Sequence, residues 1–449
     1  MKWVLLFISF SISLFTSEIQ HPDEIQQILD EYISSKKTPG IGIAVFDNGK
    51  EEYYFAGNFS YKSQQPIDEN TIFEIGSISK PITCILLQEL INQNLFSLTD
   101  TLQQHVYESN KTPNYNGIQI TLETLATHFS SLPYMPTNYE VSNLNNPFIN
   151  YTQELLYDFL NNYQLKRKPG EKYEYSNLGI GLLGHIMELK MNKSYEELLI
   201  EILCKPLDMF DTKINITTEM KNRLAIGHAG SEEMSNWDLP TLEGAGAIKS
   251  SIKDMMKFLK ANIYDGDTDL YKAIKLTHLP VRYINEEENF YMGMGWHIFK
   301  DFGNDLIWHN GGTGGYHSFI GFIPNKKKGI IILTNSKFNL ESLGKHILEP
   351  RYEFCKDKSY EIVLDPVILD QYVGTYKHFT GLQCLLWRER NDLYAYIEGH
   401  PIVRLYPKNN KRFFLQIMDA DVEFYFSKEK VQGVTVYLGA QSFNLNKID

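Results

Sequence analysis

Cysteine is scarce in this chain. Its 449 residues hold four, Cys84, Cys204, Cys355 and Cys384, and their spacing fits no zinc-binding pattern. Cys84 lies in one apolar helical run and Cys204 ends another, so both read as buried thiols; whether Cys355 and Cys384 pair is left open. Positive charge is also in deficit: the net charge is -12. A nucleic-acid binder needs a clustered basic surface, so that class is excluded, and the basic stretch from Lys408 to Arg412 reads as a solvated turn. Long apolar runs are missing beyond the N-terminus, so no later segment qualifies as transmembrane. What remains is a 43% apolar, 22% charged composition, that of a globular protein with two or three domains. Aromatic residues, at 13%, suit β-rich parts and a substrate cleft.

Residues 1–17 read as a secretory signal. Lys2 gives the positive start, and the apolar run from Val4 to Phe15 is too short to span a bilayer. The expectation is a secreted or periplasmic protein with no stable membrane insertion after cleavage; an uncleaved anchor is the alternative.

Periodicity places a helix over Pro22 to Ser34, then strands over Gly40 to Phe46 and Glu51 to Gly57, joined at the hairpin signal Asp47-Asn48-Gly49. From about 95 to 235 the chain reads as mainly helical, with Thr121 to His128 and Tyr195 to Cys204 clearest. Another helix is expected over Ser250 to Asn262. Strands return at Tyr291 to Ile298, Leu306 to His309, His317 to Ile323 and Gly329 to Leu333, before a helix from Leu340 to about Phe354. Strands at both ends of this region predict one sheet assembled from both ends, with a helical subdomain beside it. Past Ser359 the pattern changes to short alternating segments at intervals of roughly ten residues, the mark of a small all-β barrel or sandwich.

Chemistry concentrates in three places. Phe73-Glu74-Ile75-Gly76-Ser77-Ile78-Ser79-Lys80-Pro81 sets Ser77 three residues ahead of Lys80, on one helical face. A serine hydroxyl needs a base to become a good nucleophile, and a lysine in a dry site can supply one. Ser-x-x-Lys also occurs at Ser34, Ser250, Ser342 and Ser427, so the spacing alone decides nothing. Gly76 for a tight turn, Pro81 in the first helical turn and a long apolar run after it set Ser77 apart. Tyr175-Ser176-Asn177 adds a phenol suited to acid–base work and an amide able to meet a substrate amide. The glycine-rich strand His309-Asn310-Gly311-Gly312 lets a substrate lie against backbone, and the N–H near Gly312 together with that of Ser77 would form an oxyanion hole.

In this order and spacing, the three elements resemble the β-lactamase-related serine hydrolases: class C β-lactamases, low-molecular-weight penicillin-binding proteins, and the esterases and D-aminopeptidases of that fold. The resemblance covers about residues 20–350 and includes Leu125-Ala126-Thr127-His128 and the stretch from Trp237 to Ser251. The tail through Gly374-Thr375-Tyr376 is similar to the lipocalin-like barrel of many members. The resemblance implies an α/β (α+β) fold with a β-lactamase/DD-peptidase-like sheet, a helical subdomain and a C-terminal all-β barrel-like domain. The expected divisions are a signal at 1–17, a hydrolase domain at 18–357 and a barrel domain at 358–449. It implies Ser77 as the acylated nucleophile, Lys80 and Tyr175 sharing the proton work, and Asn177, His309, Gly311 and Gly312 meeting the substrate. The substrate would be a small molecule or peptide: an ester, D-peptide or β-lactam. No cofactor and no metal are called for. His309 stands where lysine is usual, and a mostly neutral imidazole is a weaker carboxylate anchor. Phe129-Ser130-Ser131 departs from the commoner Thr-Ser-Gly. The rival reading is a non-catalytic peptide or glycan receptor on the same fold.

Overall fold

A computed structural model describes residues 22–448, apart from 139–142, 144, 353, 355–363, 380, 390–391, 398–401, 416–419, 429 and 439–440. The expected signal at 1–17, Cys355 and the expected 357/358 division lie outside the described residues.

The N-terminal helix Pro22–Ser34 packs its apolar stripe of Ile25, Ile28, Leu29 and Tyr32 on the main sheet. Strands β1 (Gly40–Asp47) and β2 (Lys50–Gly57) form the expected hairpin, with Asn48 and Gly49 both at positive φ as a tight turn requires. The short strand β3 (Ile72–Glu74) leads into a single 3-10 turn, Gly76–Ile78, and then the helix Ser79–Asn92. That helix is buried on nearly every side, as its run of Ile82, Ile85, Leu86, Leu87 and Leu90 requires.

The helical block holds two small hairpins, β4 (Asn114–Tyr115) with β5 (Ile118–Gln119) and β6 (Gly227–Ala229) with β7 (Glu232–Met234). Its helices include Leu122–Ala126, Gln153–Asn162 and Asn177–Met191. The expected helix over Tyr195 to Cys204 is α-helical through Leu198 and then opens into a π-helical turn. Strand β8 (Lys249–Ser251) pairs with β3, so Ser250 and Ser251 belong to a strand. The following helix runs Ile252–Ile263, with the Ser251 hydroxyl as its N-cap.

The chain then returns as β9 (Arg282–Asn285), β10 (Phe290–Met292), β11 (His297–Asp301), β12 (Asn304–Gly312), β13 (His317–Ile323) and β14 (Lys328–Thr334). The single strand expected over Tyr291 to Ile298 is two strands. They are separated by a tight turn at Gly295, whose φ is +71°. Among the described residues, eight strands make one antiparallel sheet in the order β2-β1-β14-β13-β12-β11-β10-β9. The β1–β14 pairing closes it from the two ends of the region, as expected. The helix Glu341–Leu348 covers one face and ends earlier than Phe354.

The C-terminal part is a closed antiparallel barrel: β15 (Gly374–Lys377), β16 (Gln383–Glu389), β17 (Asp392–Ile397), β18 (Val403–Pro407), β19 (Arg412–Leu415), β20 (Ala420–Ser427), β21 (Lys430–Leu438) and β22 (Gln441–Lys447). Its interior is filled by side chains, with Tyr376, Leu386, Leu393, Phe413, Phe424 and Val434 all buried.

Candidate active site

Gly76 makes the turn that presents Ser77. Its φ is +50°, and a Cβ there would lie 2.8 Å from the Gly312 nitrogen, so both conformation and space demand glycine. The turn is tied down on every side. The Ser79 hydroxyl donates to the Gly76 carbonyl at 2.7 Å, the Ser318 hydroxyl to that of Ile75 at 2.8 Å, and the Ile75 N–H to that of Ile248 at 3.1 Å.

Helical spacing brings Lys80 back over Ser77. Its Nζ donates to the Ser77 Oγ at 2.8 Å and to the Ala245 carbonyl at 2.7 Å, and it stands 4.9 Å from the centre of the Tyr175 ring. Lys80 is 0% exposed. Burial lowers its pKa well below that of a free lysine.

Ser176 positions Tyr175. Its hydroxyl accepts from the Gly179 N–H at 2.9 Å, capping the helix Asn177–Met191, and donates to the Pro133 carbonyl at 2.7 Å. Tyr175 is thereby left just outside the helix, hydrogen-bonded to Ser77. Burial, then the neighbouring Tyr134, hold its hydroxyl well above the usual phenol range, while the Ser77 bond acts in the opposite direction. Asn177 opens the helix. Its side chain bonds the Tyr134 hydroxyl, and its N–H donates to the Tyr134 carbonyl at 2.9 Å.

Strand β12 supplies the third wall. It pairs with β11 only as far as Trp308, opposite His297, so the stretch His309–Gly312 has β13 on one side and, among the described residues, no strand on the other. The Thr313 N–H donates to the Tyr316 carbonyl. Alternation then makes Gly312 and His317 a non-bonded pair, turning the Gly312 N–H away from β13. Gly311 faces the nucleophile turn, where a Cβ would lie 3.0 Å from the Ser77 nitrogen and 2.1 Å from the Ile75 oxygen. The two backbones thus meet with the amides of Ser77 and Gly312 at one place.

His309 is 0% exposed, and its Nδ1 bonds the Asn310 carbonyl at 2.5 Å. Burial, then the nearby Lys80, push its pKa down to about 3, so the imidazole is neutral at ordinary pH. The structure therefore brings Ser77, Lys80, Tyr175, Asn177, His309, Gly311 and Gly312 to one site. Sequence reasoning gave no role to the Ala245 carbonyl, a backbone atom with no side-chain signal. It also gave none to two further buried imidazoles. His128 lies 4.5 Å from the Tyr175 ring, and His297 lies 5.1 Å from that of His309. Ser250, one of the other Ser-x-x-Lys serines, is buried and bonded to the Thr212 hydroxyl at 2.8 Å.

Comparison with known proteins adds to this geometry. A family model described as Beta-lactamase matches residues 25–348. A beta-lactamase of Yersinia enterocolitica is 25% identical over 362 residues, spanning 72% of this chain and 88% of that protein. The D-alanyl-D-alanine-carboxypeptidase/endopeptidase AmpH of Escherichia coli (strain K12) is 26% identical over 337 residues, 71% of this chain and 86% of that one. Among solved structures, the octameric penicillin-binding protein homologue from Pyrococcus abyssi superposes with a TM-score of 0.65 at 22% identity. That match covers 95% of this chain and 99% of the other, barrel included.

Proposed function

Because the chain belongs to the Beta-lactamase family and is a serine hydrolase, we propose that it forms a covalent acyl-enzyme on Ser77 and releases it with water. The observation that carries this reading is the buried Lys80 amine, 2.8 Å from the Ser77 hydroxyl. A lowered lysine pKa and a raised tyrosine pKa favour a resting site with Lys80 neutral and Tyr175 protonated. Neutral Lys80 then turns its lone pair to the Ser77 hydroxyl and takes its proton as Oγ attacks the substrate carbonyl carbon, and the amides of Ser77 and Gly312 receive the developing oxyanion. When the tetrahedral intermediate collapses, the carbonyl-to-leaving-group bond breaks. The Lys80–Tyr175 pair returns the proton to the departing oxygen or nitrogen. Water repeats the sequence: it adds to the acyl carbon, gives a proton to the pair, and Ser77 leaves with a proton regained.

Asn177 is assigned to the substrate amide. The neutral His309 offers no fixed cation for a substrate carboxylate, which favours esters and amides lacking one near the scissile bond over β-lactams and D-peptides with a free carboxylate. Export with removal of residues 1–17 completes the reading, with a hydrolase unit at 18–357 and a barrel unit at 358–449. No helix among the described residues is long and apolar enough to cross a membrane.

The test is covalent labelling by a fluorescent penicillin or a fluorophosphonate. Wild type and Ser250→Ala are expected to label and Ser77→Ala is not. A Ser77→Ala protein that labels like wild type overturns the assignment.

A further inference from the structure

Tyr175 is gripped from both sides by a single residue. The Glu174 N–H donates to the His128 carbonyl at 2.8 Å, and the Ser176 N–H donates to the His128 Nδ1 at 3.2 Å. Between these two bonds the Tyr175 ring lies over the imidazole, 4.5 Å between centres and 33° between planes. His128 reaches this place through an unusual backbone. The helix Leu122–Ala126 ends in a Schellman arrangement, with the Phe129 N–H on the Thr124 carbonyl at 2.9 Å and the His128 N–H on that of Leu125 at 3.3 Å. The residue after the cap is normally glycine, because it must be left-handed. Here it is His128, at φ +60°. A glycine would satisfy the turn with less strain. The imidazole is 0% exposed, and its Nε2 has no hydrogen-bond partner among the described residues. Helix termination therefore explains neither the strain nor the buried, half-satisfied ring.

We propose that His128 is a positioning residue for Tyr175, its ring nitrogen and carbonyl fixing the backbone on either side of the phenol so that the hydroxyl meets Ser77. The inference rests on the reading of Tyr175 as a proton carrier. Since Nδ1 accepts from Ser176, the ring is the neutral tautomer with its proton on Nε2. Lys80, His297, His309, Tyr173 and Tyr175 are the titratable groups around it. A protonated ring would turn Nδ1 into a donor facing a donor and break the grip.

Two substitutions separate positioning from packing. His128→Gly relaxes the left-handed backbone and removes the acceptor. His128→Asn keeps an acceptor, since Oδ1 takes the place of Nδ1, and asparagine tolerates positive φ. With a chromogenic ester under saturating and limiting conditions, His128→Gly is expected to lose kcat by about 10²-fold, the scale of a misplaced reacting group, with KM little changed. His128→Asn is expected to recover most of that loss. Thermal melting sets an assay temperature at which both variants are folded, and the two are compared there. A His128→Gly enzyme with wild-type kcat, or an asparagine variant no better than glycine at matched stability, overturns the proposal. Tyr175→Phe is the parallel control. If it loses kcat while His128→Gly does not, positioning alone fails; if it retains wild-type kcat, the role of Tyr175 fails and the proposal with it.

Discussion

The Lys80 amine donates to the carbonyl oxygen of Ala245, 2.7 Å away and 165 residues along the chain. This bond and the one to Ser77 aim the amine, and among the described residues no carboxylate pairs with it. A charge there would have a carbonyl, a hydroxyl and the face of Tyr175 to replace its water, so burial favours the neutral amine.

The sign of the pH dependence follows. A lysine whose folded pKa is lowered is an unprotonated base above that pKa, and loses this form as pH falls through it. The acylation rate is therefore expected to rise with pH along a limb set by Lys80 and then level off. Lys80→Arg keeps a cation that does not deprotonate, so it should acylate about 10²–10⁴-fold more slowly, the range for a lost general base, and lack that limb. Stopped-flow acylation across pH checks this. An arginine variant with the wild-type profile would show that Lys80 is not the base.

Much of this arrangement is legible in the sequence, for local reasons. Ser77 stood out because Gly76, Pro81 and the apolar run after it each constrain the backbone in the same direction. The sheet could be read because Gly40 to Phe46 and Gly329 to Leu333 are short, continuously apolar runs of the kind buried in the middle of a sheet. The Ala245 contact was not legible, since any residue presents a carbonyl. Nor was the grip on Tyr175, because Thr127-His128-Phe129 lacks the glycine that marks a left-handed helix end. The turn at Gly295 was hidden inside an apolar stretch that passes for one strand.

The paired glycines of β12 should behave oppositely although adjacent. A Cβ on Gly311 would sit 2.1 Å from the Ile75 oxygen and 3.0 Å from the Ser77 nitrogen, whereas one on Gly312 meets nothing within 4 Å. Gly311→Ala must push the nucleophile turn away from the strand, separating the two amides, so acylation is expected to fall by about 10²–10³-fold, the cost of a lost oxyanion donor. Gly312→Ala places its methyl in open space and should fold with wild-type stability, its effect falling on KM for bulky substrates. Kinetics and thermal melting on both variants decide it. Equal losses in the two would mean that the strand edge does not meet the Ser77 turn as described.

Acid should unfold this protein through its buried imidazoles. Burial lowers the pKa of His317 to about 4; burial, with a nearby lysine in each case, lowers those of His278 and His309 to about 3. Each takes a proton in the unfolded chain near pH 6.5 but not in the fold until far lower. Their contribution to stability is therefore complete above about pH 6.5 and is lost as pH falls, by about 1.4 kcal/mol per pH unit for each group. Glu243 works the other way. Burial raises its pKa to about 7, so the fold holds a proton that the unfolded chain lacks between about 7 and 4.5, offsetting one imidazole in that window. His317 is the cleanest member to remove, because neither ring nitrogen has a partner among the described residues. His317→Met should flatten the fall in unfolding free energy between pH 6 and pH 5 by about 1.4 kcal/mol per pH unit, measured by denaturant titration at each pH. Parallel stability curves for wild type and variant would mean that His317 does not change its protonation on unfolding.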